Sequence, residues 1–447
     1  MSSSAPELPQ PSTSAEARDV RGRAGSVGLI SRVLWPAGTA RIALRQAHVL
    51  STLGVPVTTF FVRVGPGARE LGPELEGLDV RVLRTRPGLL APLWGFLTNL
   101  AHGAGEKGAH PMEGALDLDS LFYLSLRVSR LRPSILLCED QFSGLVGYIA
   151  HRLTGVDYVV YLHEGLYEDT FREMPHLTRS GRSRVQALAR NLNRRVLSHA
   201  AGLAANSDAT LRSVERSGYH IPGTVVFPAS TSVPTTERGT LREPLVLAVS
   251  TWDTARHPEL YLETARRLES GKLVLAGMWR YDYGDERERF DRLVREQRLE
   301  GKVVVTGRIP QTDLDALYAR AKVFLRFGVD EYGPGMGCLE AMANSIPVIA
   351  NRPLGATELI EDGVSGFVLD SPDPVRASEL ANRILADPSL WQSMSLAAGR
   401  SARGVTWEAH GRLLRDVLAA ATVARCRICT PMGNRTPGPR HSTGGSG

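Results

Sequence analysis

Short apolar runs alternate with helical patterns along this chain, and this alternation constrains the fold more than any other feature. The run at 27–33 precedes a glycine turn, a helical repeat of apolar residues over 40–50 and a β-branched run at 55–62. Strand, turn, helix and strand in this order form the repeating unit of a parallel sheet with helical crossovers. The sequence therefore predicts an α/β fold.

The alternation stops once and then starts again. Residues 230–243 are polar and lack apolar periodicity, and a second series of strand and helix patterns begins at Leu245. A chain of 447 residues also exceeds what one hydrophobic core usually supports. We expect two doubly wound, Rossmann-like parallel sheets that face each other across a cleft, with the ligand outside the carboxyl ends of their strands.

Two domains, one terminal helix and two tails make up the predicted organisation. The tails, 1–23 and 426–447, are expected to be disordered. Cys426 and Cys429 form a CxxC pair in the second tail, but a zinc site normally needs a second ligand pair, and only His441 follows. The domains are predicted at 24–235 and 236–405, and an amphipathic helix at 406–425.

The chain start, the apolar stretches and the cysteines indicate the compartment. The first residues are polar and broken by prolines, so no signal peptide is expected. The most apolar stretch, 89–100, contains a proline and is too short to cross a bilayer, so no transmembrane helix is expected. Four scattered cysteines are too few for a disulfide framework in a chain of this length. We expect a cytoplasmic protein.

The net charge of +6 favours an anionic partner, and Arg179 to Ala200 is where the charge is organised. This stretch combines an apolar stripe with a basic face, as in helices that lie on anionic membranes, and would place the protein at the inner face of the membrane. The alternative is the solvated face of an ordinary surface helix. No nucleic acid partner is expected. The stripe is Val185, Leu188, Leu192 and Val196, and the basic residues are Arg182, Arg184, Arg190, Arg194 and Arg195.

A glycine-broken acidic loop within 328–370 has the composition of a sugar-nucleotide site. Gly333, Gly335 and Gly337 allow the backbone to approach a ligand closely. A helix beginning near Met336 would point its first N–H groups at a diphosphate. Glu340 would lie one turn inside this helix, where a carboxylate can accept hydrogen bonds from two neighbouring ribose hydroxyls.

Several segments in order carry a resemblance to a known family. They are VLAVSTWDTARHPELYLETARRL, VVVTGRIPQTDLDALYARAKVFL and EYGPGMGCLEAMANSIPVIA, with AAGLAANSDATLRSVERSG and DYVVYLHEG upstream. From Val27 to Ala421 the chain resembles glycosyltransferase family 4 of the GT-B fold. The resemblance implies that the first domain binds the acceptor, the second binds the donor nucleotide, and the last helix packs back on the first domain.

The activity that this resemblance implies is metal-independent transfer of a hexose-type sugar with retention of configuration. The donor would be a nucleoside-diphosphate sugar, used as co-substrate, and no cofactor is expected. The acceptor would be a hydroxyl of a growing polysaccharide, a cell-envelope glycan, a lipid-linked glycan or a small molecule. The implied catalytic residues are His163, Arg256 and Glu331, and the implied donor-binding residues are Gly38, Thr251, Arg256, Arg308, Ile309, Gly335, Met336, Gly337 and Glu340.

The chain departs from the family pattern at two places. The family separates its signature glutamates by seven residues, which from Glu340 leads back to Tyr332, so Glu331 would have to act through a one-residue bulge. The family also places an Arg and a Lys on the loop after the first strand of the donor domain, where this chain has Thr251 and Arg256. Arg308 is a candidate for the missing cation.

Two other functions remain open. A catalytically impaired glycan-binding or scaffolding relative would account for both departures from the family pattern. An NAD(P)-dependent oxidoreductase would share the fold but is disfavoured, because no GxGxxG follows the first strand.

Overall fold

The computed structural model describes residues 25–36, 38–65, 67–82, 118–166, 179–231, 242–279 and 286–429. The predictions for the tail 1–23, for the apolar stretch 89–100 and for most of the polar stretch 230–243 lie outside these residues. The last helix continues to Cys429, past the predicted start of the second tail at 426. The remainder of that tail lies outside the described residues.

The first domain contains one parallel sheet with helices on both faces. Its strands are β1 (Val27–Leu34), β2 (Val57–Val64), β3 (Asp79–Val82), β4 (Ile135–Cys138), β5 (Asp157–Leu162), β6 (Gly202–Ala205) and β7 (Gly223–Val225). Its helices are α1 (Gly38–Thr52), α2 (Gly72–Leu75), α3 (Leu118–Leu131), α4 (Gln141–Thr154), α5 (Arg179–His199) and α6 (Asp208–Arg216).

The second domain repeats the architecture, and the chain ends in a long helix. The strands are β8 (Glu243–Val249), β9 (Lys272–Ala276), β10 (Val303–Gly307), β11 (Ala321–Arg326), β12 (Val348–Asn351) and β13 (Gly366–Leu369). The helices are α7 (Pro258–Arg266), α8 (Glu286–Glu296), α9 (Gln311–Arg320), α10 (Met336–Ala343), α11 (Pro374–Ala386), α12 (Pro388–Arg403) and α13 (Trp407–Cys429).

Both sheets are doubly wound. Within the described residues the strand orders are β3-β2-β1-β4-β5-β6-β7 and β10-β9-β8-β11-β12-β13, and every pairing is parallel. The order reverses between β1 and β4 in the first sheet and between β8 and β11 in the second. Ligands of such sheets bind beyond the carboxyl ends of the strands at this reversal. The predicted fold class is confirmed.

The last helix, α13, packs back on the first domain. It contacts α1, β4, β5 and β6. Leu414, Leu418 and Ala421 are buried in the same apolar cluster as the core residues of β1 and α1. At the start of the helix, the indole Nε1 of Trp407 donates to the carbonyl of Ser230 at 3.0 Å. The helix therefore ties the end of the second domain to the first.

The described part of α5 is a surface helix of the first domain. Its apolar residues Leu192 and Val196 pack into the domain core, while Arg190, Arg194 and Arg195 are exposed. The side chains of the other residues in the predicted stripe and basic face lie outside the part of the chain that the structure describes. Because Leu192 and Val196 pack inward, the described part of α5 presents arginines rather than an apolar stripe to solvent. Within the described residues, no helix has both the length and the apolar character needed to span a membrane.

Leu414→Ala should lower the free energy of unfolding by about 2–5 kcal/mol, because it removes buried methyl groups and leaves a cavity between α13 and the first sheet. The neighbouring Leu413 is exposed, so Leu413→Ala provides a matched control and should leave stability nearly unchanged. Urea unfolding of the two variants checks this. Equal losses of stability would show that α13 is not anchored through Leu414.

Candidate active site

A buried carboxylate lies between two guanidinium groups at the carboxyl ends of the central strands of the second sheet. Arg256 closes a short 3₁₀ helix (Thr254–Arg256) after β8, and Arg326 is the last residue of β11. Arg256 pairs with Oε1 of Glu331, and Nη2 of Arg326 lies 2.6 Å from its Oε2. The side chain of Arg256 is 26% exposed, against 10% for Glu331 and 7% for Arg326. We call these three residues the charged triad, with Arg256 on its cleft side.

The triad is fully ionised at neutral pH. Burial alone would raise the pKa of Glu331, but Arg256 and Arg326 outweigh this effect and hold the pKa below its usual range. Burial opposes the charge of Arg326, yet the adjacent Glu331 raises the pKa of this guanidinium. The two guanidinium groups and the one carboxylate therefore carry a net charge of +1.

The loop after β11 presents Glu331, rather than Tyr332, to Arg256. Asp330, just before Glu331, adopts a left-handed backbone conformation with φ of 52°. Tyr332 faces the first domain: its backbone carbonyl accepts from Ser207 Oγ at 2.7 Å, and Arg216 lies 5.2 Å from the centre of its ring. This is the geometry that a one-residue bulge before the signature helix predicts.

The start of α10 lies beside the triad. Its N-cap is Gly335, which has φ of 63° and offers no side chain to the first amides. A Cβ added to Gly335 would lie 3.9 Å from Nε of Arg326. Across the cleft, a Cβ on Gly38 would lie 3.7 Å from Cγ of Met336. The predicted donor-binding glycines, Gly38, Gly335 and Gly337, are thus placed around the same end of α10.

Glu340 lies one turn inside α10 and is buried. Its Oε2 accepts from the hydroxyl of Tyr318 at 2.7 Å, and its Oε1 accepts from Thr231 Oγ1 at 2.8 Å. Burial raises the pKa of Glu340, and the two hydroxyl donors oppose this shift. Each carboxylate oxygen has a second lone pair, so the group can still accept from a ligand hydroxyl. Neither hydroxyl partner follows from the sequence motif.

His163 follows β5 and is buried against the end of β4. Its Nε2 lies 2.8 Å from Oε2 of Glu139, which fixes the ring. Its Nδ1 is buried without a hydrogen-bond partner among the described residues. A buried polar atom of this kind is costly unless a ligand or water satisfies it. The first domain thus holds an oriented imidazole with one nitrogen available.

Glu139 connects His163 to the terminal helix. The Gln46 amide, with its nitrogen facing Glu139, donates to that carboxylate, and its oxygen lies 3.3 Å from Nε2 of His410. The other ring nitrogen of His410 donates to the carbonyl of Phe227 at 2.8 Å. Burial raises the pKa of Glu139, against the lowering effect of His163. Contacts with the imidazole therefore reach from the cleft to α13.

The remaining predicted donor residues are Thr251, Arg308 and Ile309. Thr251 is half-buried and follows Ser250, whose hydroxyl accepts from Nη1 of Arg326 at 2.8 Å. Arg308 pairs with Glu70 of the first domain, and Ile309 packs on the core beneath β8 and α10. The guanidinium that joins Arg256 at Glu331 is therefore that of Arg326, which the sequence motif does not single out.

Two family models match this chain, one for each domain. The model of the glycosyl transferase 4-like domain matches residues 37–229, and that of glycosyl transferases group 1 matches residues 237–401. The chain belongs to glycosyltransferase family 4. The resemblance seen in the sequence is thereby confirmed.

Relatives of this family 4 glycosyltransferase match segments of it. It is 31% identical over 170 residues to a GDP-mannose-dependent alpha-(1-6)-phosphatidylinositol monomannoside mannosyltransferase of Mycolicibacterium smegmatis. It is 30% identical over 205 residues to a sucrose synthase of Acidithiobacillus caldus. The matches cover 36% and 40% of this chain and 43% and 26% of those relatives, so this chain spans less than half the length of each.

Solved structures of the same fold cover most of the chain. The fold is similar to that of Anabaena HepE in complex with UDP and glucose, with a TM-score of 0.68 at 16% identity. It is equally similar to the sucrose-phosphate synthase of Thermosynechococcus elongatus, with a TM-score of 0.68 at 18% identity. Each match covers 89% of this chain and 100% of the other, and at these identities it establishes the fold alone.

The two domains of this glycosyltransferase contact each other beside the pocket. Glu358, at the end of a 3₁₀ helix (Gly355–Glu358), accepts from the backbone N–H groups of Asp208 at 2.9 Å and Ala209 at 2.7 Å. Glu164, on the first domain, is exposed to the cleft close to Arg256. Desolvation between the walls of the cleft raises the pKa of Glu164, and the positive charge of Arg256 opposes this shift.

The free energy of unfolding should fall as the pH drops from about 6.5 to 4, through His410. Burial lowers its pKa from 6.5 to about 4, so between these values the unfolded chain binds more protons than the folded one. The loss should amount to about 3 kcal/mol at full protonation. Urea unfolding at pH 7 and pH 4.5 should show a smaller pH-dependent loss in His410→Asn than in the parent.

His48→Asn provides the control for this titration, because His48 is an exposed histidine of α1. It should retain the parent's pH dependence. Identical pH dependence in the parent and in His410→Asn would contradict a neutral, buried His410.

Proposed function

We propose that this protein transfers a hexose-type sugar, with retention of anomeric configuration, from a nucleoside-diphosphate sugar to a hydroxyl acceptor. The acceptor class that we propose is a growing polysaccharide, a cell-envelope glycan or a glycolipid. The observation that carries the proposal is the charged triad beside the start of α10, with Glu340 one turn inside that helix. This combines an anion site with a reader of neighbouring hydroxyls.

The chemistry of glycosyl transfer suits these groups. Cleavage of the sugar–phosphate bond builds positive charge on the anomeric carbon and negative charge on the leaving diphosphate. Arg256 and the first amides of α10 would stabilise the diphosphate, and Glu340 would accept hydrogen bonds from the ribose. His163 would contact the transferred sugar from the opposite wall through its available Nδ1.

Similar proteins support a nucleotide-sugar donor but leave its base open. The mycobacterial relative is named as GDP-mannose-dependent, whereas the HepE structure contains UDP and glucose. We therefore propose a nucleoside-diphosphate sugar without assigning the base. We also propose that no metal is needed, because Arg256, Arg326 and the helix start supply positive potential at the diphosphate position.

A catalytically impaired glycan-binding relative is the second candidate. Thr251 favours it, because a threonine contributes no charge where the family has its first cation. Such a protein would retain the pocket and bind the nucleotide but turn over slowly. Turnover with a glycan acceptor distinguishes the two candidates.

Calorimetry with UDP, GDP and NADH in the presence of a chelator tests the donor proposal. We expect binding of at least one nucleoside diphosphate and none of NADH. Glu340→Gln keeps the size of the side chain but replaces one acceptor oxygen by a donor. It should weaken nucleoside-diphosphate binding about 10- to 100-fold, as expected for the loss of 1.5–3 kcal/mol of charge-assisted hydrogen bonding.

The same variant should slow hydrolysis of the corresponding nucleotide sugar. Arg320→Gln is the control, because Arg320 is exposed and pairs with Glu243 at the opposite edge of the sheet. Stronger binding of NADH than of either diphosphate, or full activity in Glu340→Gln, would rule out this donor site.

We propose a cytoplasmic protein that contacts anionic membrane through the exposed arginines of α5. The contact would be electrostatic rather than inserted, because Leu192 and Val196 are used in the domain core. Sedimentation with vesicles containing anionic lipid should show binding that is lost at high salt. Substituting Arg190, Arg194 and Arg195 together by Gln should abolish it, and unchanged sedimentation would disprove the contact.

A further inference from the structure

We infer that Arg326 is the second cation of the donor pocket and supplies, through Glu331, the positive charge that Thr251 lacks. The inference rests on the proposed function and assigns a positioning residue to the same site. β8 and β11 are parallel neighbours, so their carboxyl ends meet at one edge. Arg326 ends β11 and reaches the hydroxyl of Ser250, the residue just before Thr251. A cation from the adjacent strand thus lies beside the loop after β8, where Thr251 replaces the first cation of the family.

The charges of the pocket show why this cation matters. Arg256 and Glu331 alone would form a neutral pair with little attraction for a diphosphate. Arg326 makes the charged triad positive by one unit. Glu164, on the facing domain, adds a carboxylate close to Arg256 and so increases the need for the second guanidinium.

Arg326 also allows Arg256 to change partners. A diphosphate in the cleft must compete with Glu331 for Arg256, the most exposed member of the triad. If Arg256 turned to the ligand and Glu331 had no other partner, a buried carboxylate would be left unpaired, which is strongly unfavourable. The hydrogen bond of 2.6 Å from Arg326 keeps Glu331 paired during this exchange.

If Arg326 formed only a structural ion pair, its loss would lower stability without a specific effect on phosphate binding. Arg326 is nine-tenths buried, and among the described residues it donates to Ser250 and to Glu331, which both lie at the donor pocket. The residues on either side of Arg326 in the chain, Leu325 and Phe327, are buried and apolar, so packing of the sheet does not require a guanidinium at this position. Its effect should therefore follow the number of phosphates on the ligand.

The test measures binding of UDP, GDP and their nucleosides to four variants by calorimetry. Arg326→Gln should weaken the better-bound diphosphate at least 10-fold and leave the nucleoside affinity unchanged. Arg326→Lys keeps the charge and should retain most of the diphosphate affinity. Thr251→Arg added to Arg326→Gln should recover much of the loss, because it restores a cation at the pocket. Arg320→Gln should behave like the parent.

Glu331→Gln gives an independent result that does not require the loss of Arg326. It frees both guanidiniums from their carboxylate, so diphosphate affinity should rise several-fold even though turnover falls. A larger thermal shift with diphosphate than in the parent would report the same change.

The outcomes separate the inference from the proposed function. If the parent binds the diphosphate and Arg326→Gln binds it equally well, Arg326 is not part of the pocket. Equal losses for diphosphate and nucleoside, failure of Arg326→Lys to retain affinity, or weaker diphosphate binding in Glu331→Gln would likewise overturn the inference and leave the donor site in place. If the parent binds neither diphosphate, the proposed function itself fails.

Discussion

The pairing of β8 with β11 is the constraint on which the donor site depends. The two strands are far apart in the chain but adjacent in the sheet, and both run toward the cleft. Because their carboxyl ends share an edge, Ser250 and Arg256 on one side meet Arg326 and Glu331 on the other. The start of α10 then falls beside these charges. Without this strand order the pocket would have neither its carboxylate nor its second guanidinium.

The fold could be predicted from the sequence because its signal is local. Apolar runs of strand length alternate with helical repeats, and each unit reports its own type without information about distant residues. The two sheets were therefore accessible from the pattern, whereas the glycosyltransferase family and the return of α13 to the first domain followed from the resemblance of several ordered segments. The end of α13 was not, because the apolar pattern fades before Cys429 and helix boundaries are weakly encoded.

The candidate site was accessible only in part, because its contacts join distant segments. The motif indicated Glu331 and Glu340 as site residues, and both lie at the pocket. Their partners come from elsewhere: Thr231 is 109 residues from Glu340, and Ser250 is 76 from Arg326. No spacing rule links such pairs. A charged residue at the end of a largely apolar strand was the available signal for Arg326, and its role can be inferred only when the neighbouring strand is known.

The capping of α6 by Glu358 has a consequence for how the halves of the molecule move. Ser207 Oγ accepts from the amide of Thr210, but the amides of Asp208 and Ala209 are satisfied from the other domain. If the two domains moved apart, α6 would lose the part of its cap that Glu358 provides, and the carboxylate of Glu358 would become exposed to solvent. Such a cap is worth about 1 kcal/mol, so the shut arrangement is favoured by a modest amount that thermal motion can overcome. The contacts of Glu358 thus stabilise the closed arrangement only weakly.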